Sequence, residues 1–273
     1  MVLAVILVIP ILFGCQGGNG GEDTAAGVEK ETSLLDEILK RGTLKVGMST
    51  FEPWAMKDKN GELIGFEIDV ATRLAEDMGV EIEFVPTQWS GIIPALLTGK
   101  FDVIIGGMGI KPDRNIKVNF SMPYDNSGMS IVASKELAPG YSSLEEFNKP
   151  DVVIVARLGT TAADAAKKYM PNAELRLFDS EPLAFQELKN GNAHAMVSSA
   201  PFPGHRAAEN PDELYLPISG TFTFEPIGFA LPKGDLDLLN YFNSWITVVG
   251  AEGWLADRKH YWFETLDWKD QIE

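Results

Sequence analysis

Cysteine is almost absent from this chain, and the single one, Cys15, stands near its start. One thiol can make neither an intramolecular disulfide nor a Cys-based metal site. Histidine is nearly as scarce. His194, His205 and His260 are scattered, without the close spacing of a metal-ligating pair, so the sequence indicates no metal centre and no cofactor. Positive charge is also short, with 23 Lys and Arg against 39 Asp and Glu and a formal net charge of −16. Nucleic acid and anionic membrane surfaces both select clustered cations, so neither is an expected partner. A small anion is not excluded, because one or two arginines in a cleft dominate the local field. No G-x-S-x-G, P-loop or G-x-G-x-x-G pattern occurs, which leaves hydrolase, nucleotidase and dinucleotide readings unsupported. Finally, no apolar run reaches the roughly 20 residues of a membrane-spanning helix. The longest is residues 2–13, VLAVILVIPILF.

What is present is the composition of a globular protein. The 273 residues are 45% hydrophobic and 23% charged, long enough for one large domain or two modest ones. From about residue 33 helix and strand signals alternate. Ser33 is a candidate N-cap for a short helix, with Asp36 and Glu37 in its first turn. Residues 43–48 read as a strand. Residues 67–78 put Ile68, Ala71, Ala75 and Met78 on one helical face, and Gly79 follows where a helix terminator belongs. A strand at 80–85, a helix at 91–98 and a strand at 101–106 complete a β-α-β-α-β order, which implies a parallel sheet covered on both faces.

The pattern restarts after a bridging strand near 128–133. Strands are expected near 152–156, 174–178 and 193–197, with helices near 161–169 and 182–189 between them. A second bridging strand at 227–231 leads to a C-terminal helical region. The expected architecture is therefore two α/β lobes joined by two crossings, with a ligand cleft between them. Lobe 1 is assigned to 39–127 and 232–273, and lobe 2, with the hinge strands, to 128–231.

The run 2–13 suits the apolar core of a secretory signal, with 1–14 as the signal peptide. Leu12-Phe13-Gly14-Cys15 resembles a bacterial lipoprotein cleavage box, which makes Cys15 the expected lipidated residue. Residues 15–38 are then a lipid-anchored tether.

Gly65-Phe66-Glu67-Ile68-Asp69-Val70, followed by Leu74-Ala75 and Met78, resembles the signature of family 3 extracellular solute-binding proteins, the amino-acid-type receptors of ABC importers. The likeness extends over residues 39–265. It takes in Phe51-Glu52-Pro53-Trp54, the stretch from Trp89 to Leu96, Gly107-Met108-Gly109-Ile110-Lys111-Pro112-Asp113-Arg114, Phe120 to Tyr124, Gly159-Thr160-Thr161 and Trp262-Phe263. The resemblance implies a type II periplasmic-binding-protein-like fold and a monomer that meets the membrane subunits of a transporter. It places the protein in the periplasm or at the cell surface, at the membrane only through its lipid.

The same resemblance implies a site. Arg114 would hold the ligand's carboxylate, since a planar guanidinium donates two parallel charge-assisted hydrogen bonds. Gly107 and Gly109 would let backbone groups approach the ligand. Phe51, Trp54 and Trp89 would wall the pocket. Thr160 and Thr161 would offer hydroxyls and free N–H groups at a helix start. Arg157 matches a position that contacts the ligand side chain in some relatives.

Ser199 departs from the pattern, because amino-acid receptors usually carry an aspartate there against the ligand's α-ammonium. Burying an ammonium without a counter-ion is costly. The expectation is a carboxylate ligand lacking an ordinary free α-ammonium, unless another acid substitutes, Glu225 first and Glu181 second. Two other functions stay open. Cyclohexadienyl dehydratases resemble this family and share features of the Trp89 region and of 150–161, but their acid after the 193–199 strand is replaced here by Ala200-Pro201-Phe202-Pro203. The third is a ligand-sensing domain docked on a receptor. The leading expectation is binding without catalysis.

Overall fold

The computed structural model describes residues 32–272. The expected signal peptide, Cys15 and most of the expected tether lie outside the described residues. The first described helix, α1 (Leu34–Arg41), is capped by the Ser33 hydroxyl, which accepts from the Asp36 amide at 3.1 Å, and ends at Gly42 in the left-handed region. Its Ile38 is fully buried in the first core. Residues 34–38 therefore belong to the folded body rather than to a tether: one apolar face is enough to dock a two-turn helix whose other faces are charged.

Strand β1 (Thr43–Met48) follows, then the short pair β2 (Met56–Lys57) and β3 (Leu63–Ile64), helix α2 (Phe66–Met78) and strand β4 (Glu81–Pro86). Helix α2 buries Ile68, Ala71, Ala75 and Met78, and Gly79 terminates it with φ 71°. Next come α3 (Ile92–Leu97), β5 (Val103–Ile104), α4 (Pro112–Asn115) and β6 (Asn119–Phe120). After β7 (Asp125–Ser127) the chain builds a second body from β8 (Met129–Ser134), α5 (Leu144–Phe147), β9 (Val153–Arg157), α6 (Thr161–Tyr169), β10 (Glu174–Phe178), α7 (Glu181–Lys189), β11 (Ala195–Ser199), α8 (Phe202–Glu209) and β12 (Leu214–Tyr215). It returns through β13 (Glu225–Ile227) to β14 (Ala230–Leu231) and helices α9 (Leu236–Ala251) and α10 (Trp254–Lys259).

Two five-stranded sheets result, in the orders β4-β1-β5-β14-β6 and β10-β9-β11-β8-β12. Neither is wholly parallel. In the first, β1, β4 and β5 are parallel, whereas β14 joins β5 and β6 joins β14 in antiparallel fashion. In the second, β9, β10 and β11 are parallel, β8 runs against β11, and β12 runs against β8. The antiparallel strands are those that enter or leave a lobe, which the alternating βα pattern does not report. Each sheet has an apolar cluster on either face, as a sheet covered on both sides requires.

The crossings also sit a few residues from their expected places. The strand at 129–134 is wholly buried and belongs to the second sheet, and 230–231 belongs to the first. The link between the lobes is the antiparallel pair β7·β13, with Asp125 opposite Ile227 and Ser127 opposite Glu225. These segments are polar and include Pro226, so they lack the apolar signature that marks the flanking strands. Gly128 follows at once. A Cβ there would fall 2.1 Å from the Thr223 carbonyl oxygen, so only glycine lets the two crossing segments lie this close.

Candidate ligand-binding cleft

Between the lobes lies a cavity lined by side chains of both. Its walls are built from ends of elements. Ser49 and Phe51 follow β1, Trp89 opens a short 3-10 turn, and Gly106 and Gly107 follow β5. From the other lobe come Arg157 at the end of β9, Thr160 and Thr161 at the start of α6, Glu181 at the start of α7, and Ser198 and Ser199 at the end of β11. Carboxyl ends of parallel strands and amino ends of helices thus converge, which is where open α/β sheets bind ligands.

Arg114, from α4, lies on the cavity wall and is only 8% exposed. It donates from Nη1 to the Gly109 carbonyl at 2.9 Å and from Nη2 to the Gly159 carbonyl at 3.3 Å, and makes no ion pair among the described residues. Burial pushes its guanidinium below the usual value, while Asp113, Glu225 and Asp164 pull the other way. An arginine remains charged in such surroundings. Its guanidinium carbon lies 5.9 Å from the Trp89 ring centroid, and that of Arg157 lies 5.5 Å from the same ring. Trp89 also donates from Nε1 to the Gly159 carbonyl at 3.1 Å.

Arg157 is 4% exposed. It donates from Nη2 to the Ser49 hydroxyl and from Nη1 to the Thr50 carbonyl at 3.5 Å, both in the opposite lobe, while its buried Nε has no partner among the described residues. Glu181, also 4% exposed, accepts from the Ser198 hydroxyl. Burial raises its proton affinity, against the Ser198 hydrogen bond and the Arg157 charge. Thr160 caps α6, its hydroxyl accepting from the Ala163 amide at 3.3 Å and donating to the Arg157 carbonyl at 2.6 Å. The Ser199 hydroxyl is 2.7 Å from that of Ser127. Glu225, on hinge strand β13, accepts from the Thr223 hydroxyl at 3.3 Å. A Cβ on Gly109 would fall 3.1 Å from Glu225 Oε2, 3.7 Å from Arg114 Nη1 and 3.7 Å from the Thr161 methyl, so these three groups meet at one end of the cavity.

Of the residues expected in the site, Phe51, Trp89, Gly107, Arg114, Arg157, Thr160, Thr161, Ser199 and Glu225 line the cavity. Two do not. Trp54 is 1% exposed and packs in the lobe 1 core against Phe66 and Phe263, behind the wall residues Phe51, on which it stacks at 6.2 Å, and Gly107. A motif match cannot separate a wall residue from the residue behind it. Gly109 is held by a bridge to Ile227 and offers its carbonyl to Arg114 rather than to the cavity. Ser49, Gly106, Met129, Ala162 and Ser198 also line the cavity, with no motif in the sequence to mark them, and so does Glu181, in sequence only a candidate substitute acid. An acid at a helix start reads as a partner for the helix dipole, and only the packing of α7 against β9 and β11 turns it inward.

Residues 44–265 match the bacterial extracellular solute-binding proteins, family 3. The chain belongs to this family. Among solved structures it is similar to an ancestral amino-acid-binding protein described as a precursor of cyclohexadienyl dehydratase. The two are 45% identical with a TM-score of 0.77, over 85% of this chain and 99% of the other. It is also similar to a binding component of an ABC transporter from Wolinella succinogenes complexed with lysine (38% identity, TM-score 0.79, 84% and 99% covered). Cyclohexadienyl dehydratase of Pseudomonas aeruginosa is 25% identical over 241 residues, which cover 88% of this chain and 90% of the enzyme.

In this family 3 solute-binding protein the lobes are closed on each other. Besides the Arg157 and Trp89 contacts, Lys111 pairs with Asp164 at 2.6 Å, Arg206 with Glu52, and Lys269 with Glu209. Behind the cavity floor, Glu67 of α2 is fully buried, and its carboxyl faces the Tyr124 hydroxyl, the Gly107 amide and the charge of Asp125. Desolvation is the largest influence and raises its pKa to about 8. Gly107 itself has φ 68°, and a Cβ there would press on the Trp54 ring at 3.1 Å. Glycine at this position lets the cavity wall turn sharply over its packed support.

Proposed function

We propose that this protein closes around a small carboxylate-bearing ligand, an amino acid or analogue, outside the cytoplasmic membrane and delivers it to the membrane subunits of an ABC importer. The observation that carries this reading is Arg114: a nearly buried, charged guanidinium on the cavity wall, bonded among the described residues only to two backbone carbonyls. A cation held this way is suited to an anionic ligand group, and a carboxylate matches its planar fork. Because Gly159 and Arg157 belong to one lobe and Arg114, Trp89 and Ser49 to the other, a ligand bound between them favours closure.

Ser199 brings no charge, and its hydroxyl is engaged by Ser127. Glu225 and Glu181 both line the cavity, which supports the alternative that another acid substitutes for the missing aspartate. Glu225, at the Arg114 end, is the acid suited to an α-ammonium, which favours an ordinary zwitterionic amino acid over an ammonium-free carboxylate.

The protein acts as a monomer tethered by lipid on Cys15, in the periplasm or at the cell surface. Membrane fractionation tests the anchor: Cys15→Ser should release the protein, and a variant that stays with the membrane removes the lipid from the proposal. The main reading is tested by a thermal-shift screen of amino acids, betaines and small carboxylates, since a ligand of the closed form stabilises it by mass action. A chain that none of them stabilises would refute it. The dehydratase relative supplies a second reading. Prephenate or arogenate consumed by the purified protein would replace binding by catalysis.

A further inference from the structure

We propose that Arg157 and Glu181 form the specificity-determining end of the cavity and select a ligand whose distal group is uncharged and both accepts and donates a hydrogen bond, as a terminal amide or ureide does. This rests on the binding function proposed above and narrows its substrate class.

Both side chains are nearly buried, both line the cavity, and they feel each other's charge without forming an ion pair. Each is incompletely satisfied. The two terminal nitrogens of Arg157 are directed to Ser49 and Thr50 across the cleft, but Nε is buried with no partner among the described residues and calls for an acceptor. Glu181 receives the Ser198 hydroxyl, while a carboxylate can accept several more hydrogen bonds, and so calls for a donor. A bridging group must therefore supply one of each.

Charge decides among the candidates. The cavity wall carries Arg114 and Arg157 against Glu181 and Glu225. With the ligand's carboxylate at Arg114 and its ammonium at Glu225, the distal pair is already balanced. A lysine-like or arginine-like side chain would satisfy Glu181, yet it would place an extra cation beside Arg157 and give Nε no acceptor. A distal carboxylate would satisfy Arg157 and face Glu181. Buried charge without its own counter-ion is disfavoured in both cases. A neutral amide or ureide leaves neither group wanting.

The test is calorimetry with glutamine, asparagine, citrulline, glutamate, lysine, arginine and alanine on the wild type and on Glu181→Gln. The wild type should prefer an amide or ureide over lysine, arginine and glutamate by about tenfold or more. In Glu181→Gln the counter-charge of Arg157 is gone, so the preference for glutamine over glutamate should fall by about tenfold or invert. Alanine has no distal group and reports the rest of the site, so a variant that folded poorly would lose alanine as well. To separate that case, the glutamine-to-glutamate ratio of whatever folded fraction remains is read by competition. Tightest wild-type binding of lysine or arginine, or an unchanged ratio in the variant, would overturn the inference and leave the binding function standing. Binding of none of the seven would also overturn the inference, whereas the binding function falls only if the wider thermal-shift screen finds no ligand.

Discussion

The Tyr124 hydroxyl lies 2.7 and 2.8 Å from the two carboxyl oxygens of Glu67, sealed inside lobe 1 directly behind the Gly107 turn. With its pKa raised to about 8, the folded chain keeps a proton on Glu67 at neutral pH that an unfolded chain releases near pH 4.5. Stability from this group is complete at low pH and is lost as pH rises from about 4.5 through about 8. Asp125 titrates too, its carboxyl raised by burial against the pull of the Lys259 charge, so the measurement is a difference. Glu67→Gln, neutral at every pH, should be less pH-sensitive than wild type. Its Tm relative to wild type should climb between pH 5 and pH 9 by roughly 5–10 °C, a few kcal/mol. Parallel Tm curves would show that Glu67 is ionised in the folded state.

Arg114→Ala should abolish binding of the ligand found by screening while the circular dichroism spectrum stays that of the wild type. Removing a charge-assisted pair from a desolvated site costs at least about 2–5 kcal/mol, or roughly 30-fold or more in affinity. Calorimetry returning wild-type affinity would remove Arg114 from the site.

The acid for the ammonium is separable from the arginine for the carboxylate. Glu225→Gln should weaken a free amino acid by roughly tenfold or more and its deaminated 2-keto counterpart by much less. Equal losses for both ligands would mean that Glu225 sets the hinge rather than the ligand's charge.

The latch contacts should matter modestly. Arg206 and Glu52 pair across the cleft, with the guanidinium also over the Phe202 ring at 4.8 Å. Partly exposed pairs contribute about 0–1 kcal/mol, so Glu52→Gln should weaken ligand binding by at most about fivefold, mainly through faster dissociation. The effect should shrink as salt is raised. Stopped-flow dissociation rates of the variant and the wild type at two ionic strengths supply the comparison.

Much of the architecture was legible because burial leaves a periodic trace. The face Ile68, Ala71, Ala75, Met78 gave α2 and its end, and the apolar run at 152–156 gave β9 to within a residue. The hinge lies a few residues from its expected place because β7 and β13 are largely polar and pair with each other across about 100 positions of sequence. At the site, Arg114 and Thr160 were readable from local motifs. Ser198 was not, and Glu181 only as the second candidate acid, since the two are 17 positions apart and meet only through the crossing of α7 over β11. Trp54 failed in the other sense: a residue one layer behind a wall shares the motif of the wall itself.

Trp89 is the one tryptophan on the cavity wall, and its indole is held between a carbonyl of the far lobe and two guanidiniums. Opening the cleft would take the Gly159 oxygen and the Arg157 cation away and let water reach the ring. The chain therefore carries its own optical reporter: emission from Trp89 should shift toward the blue on closure, so ligand capture can be timed on unlabelled protein.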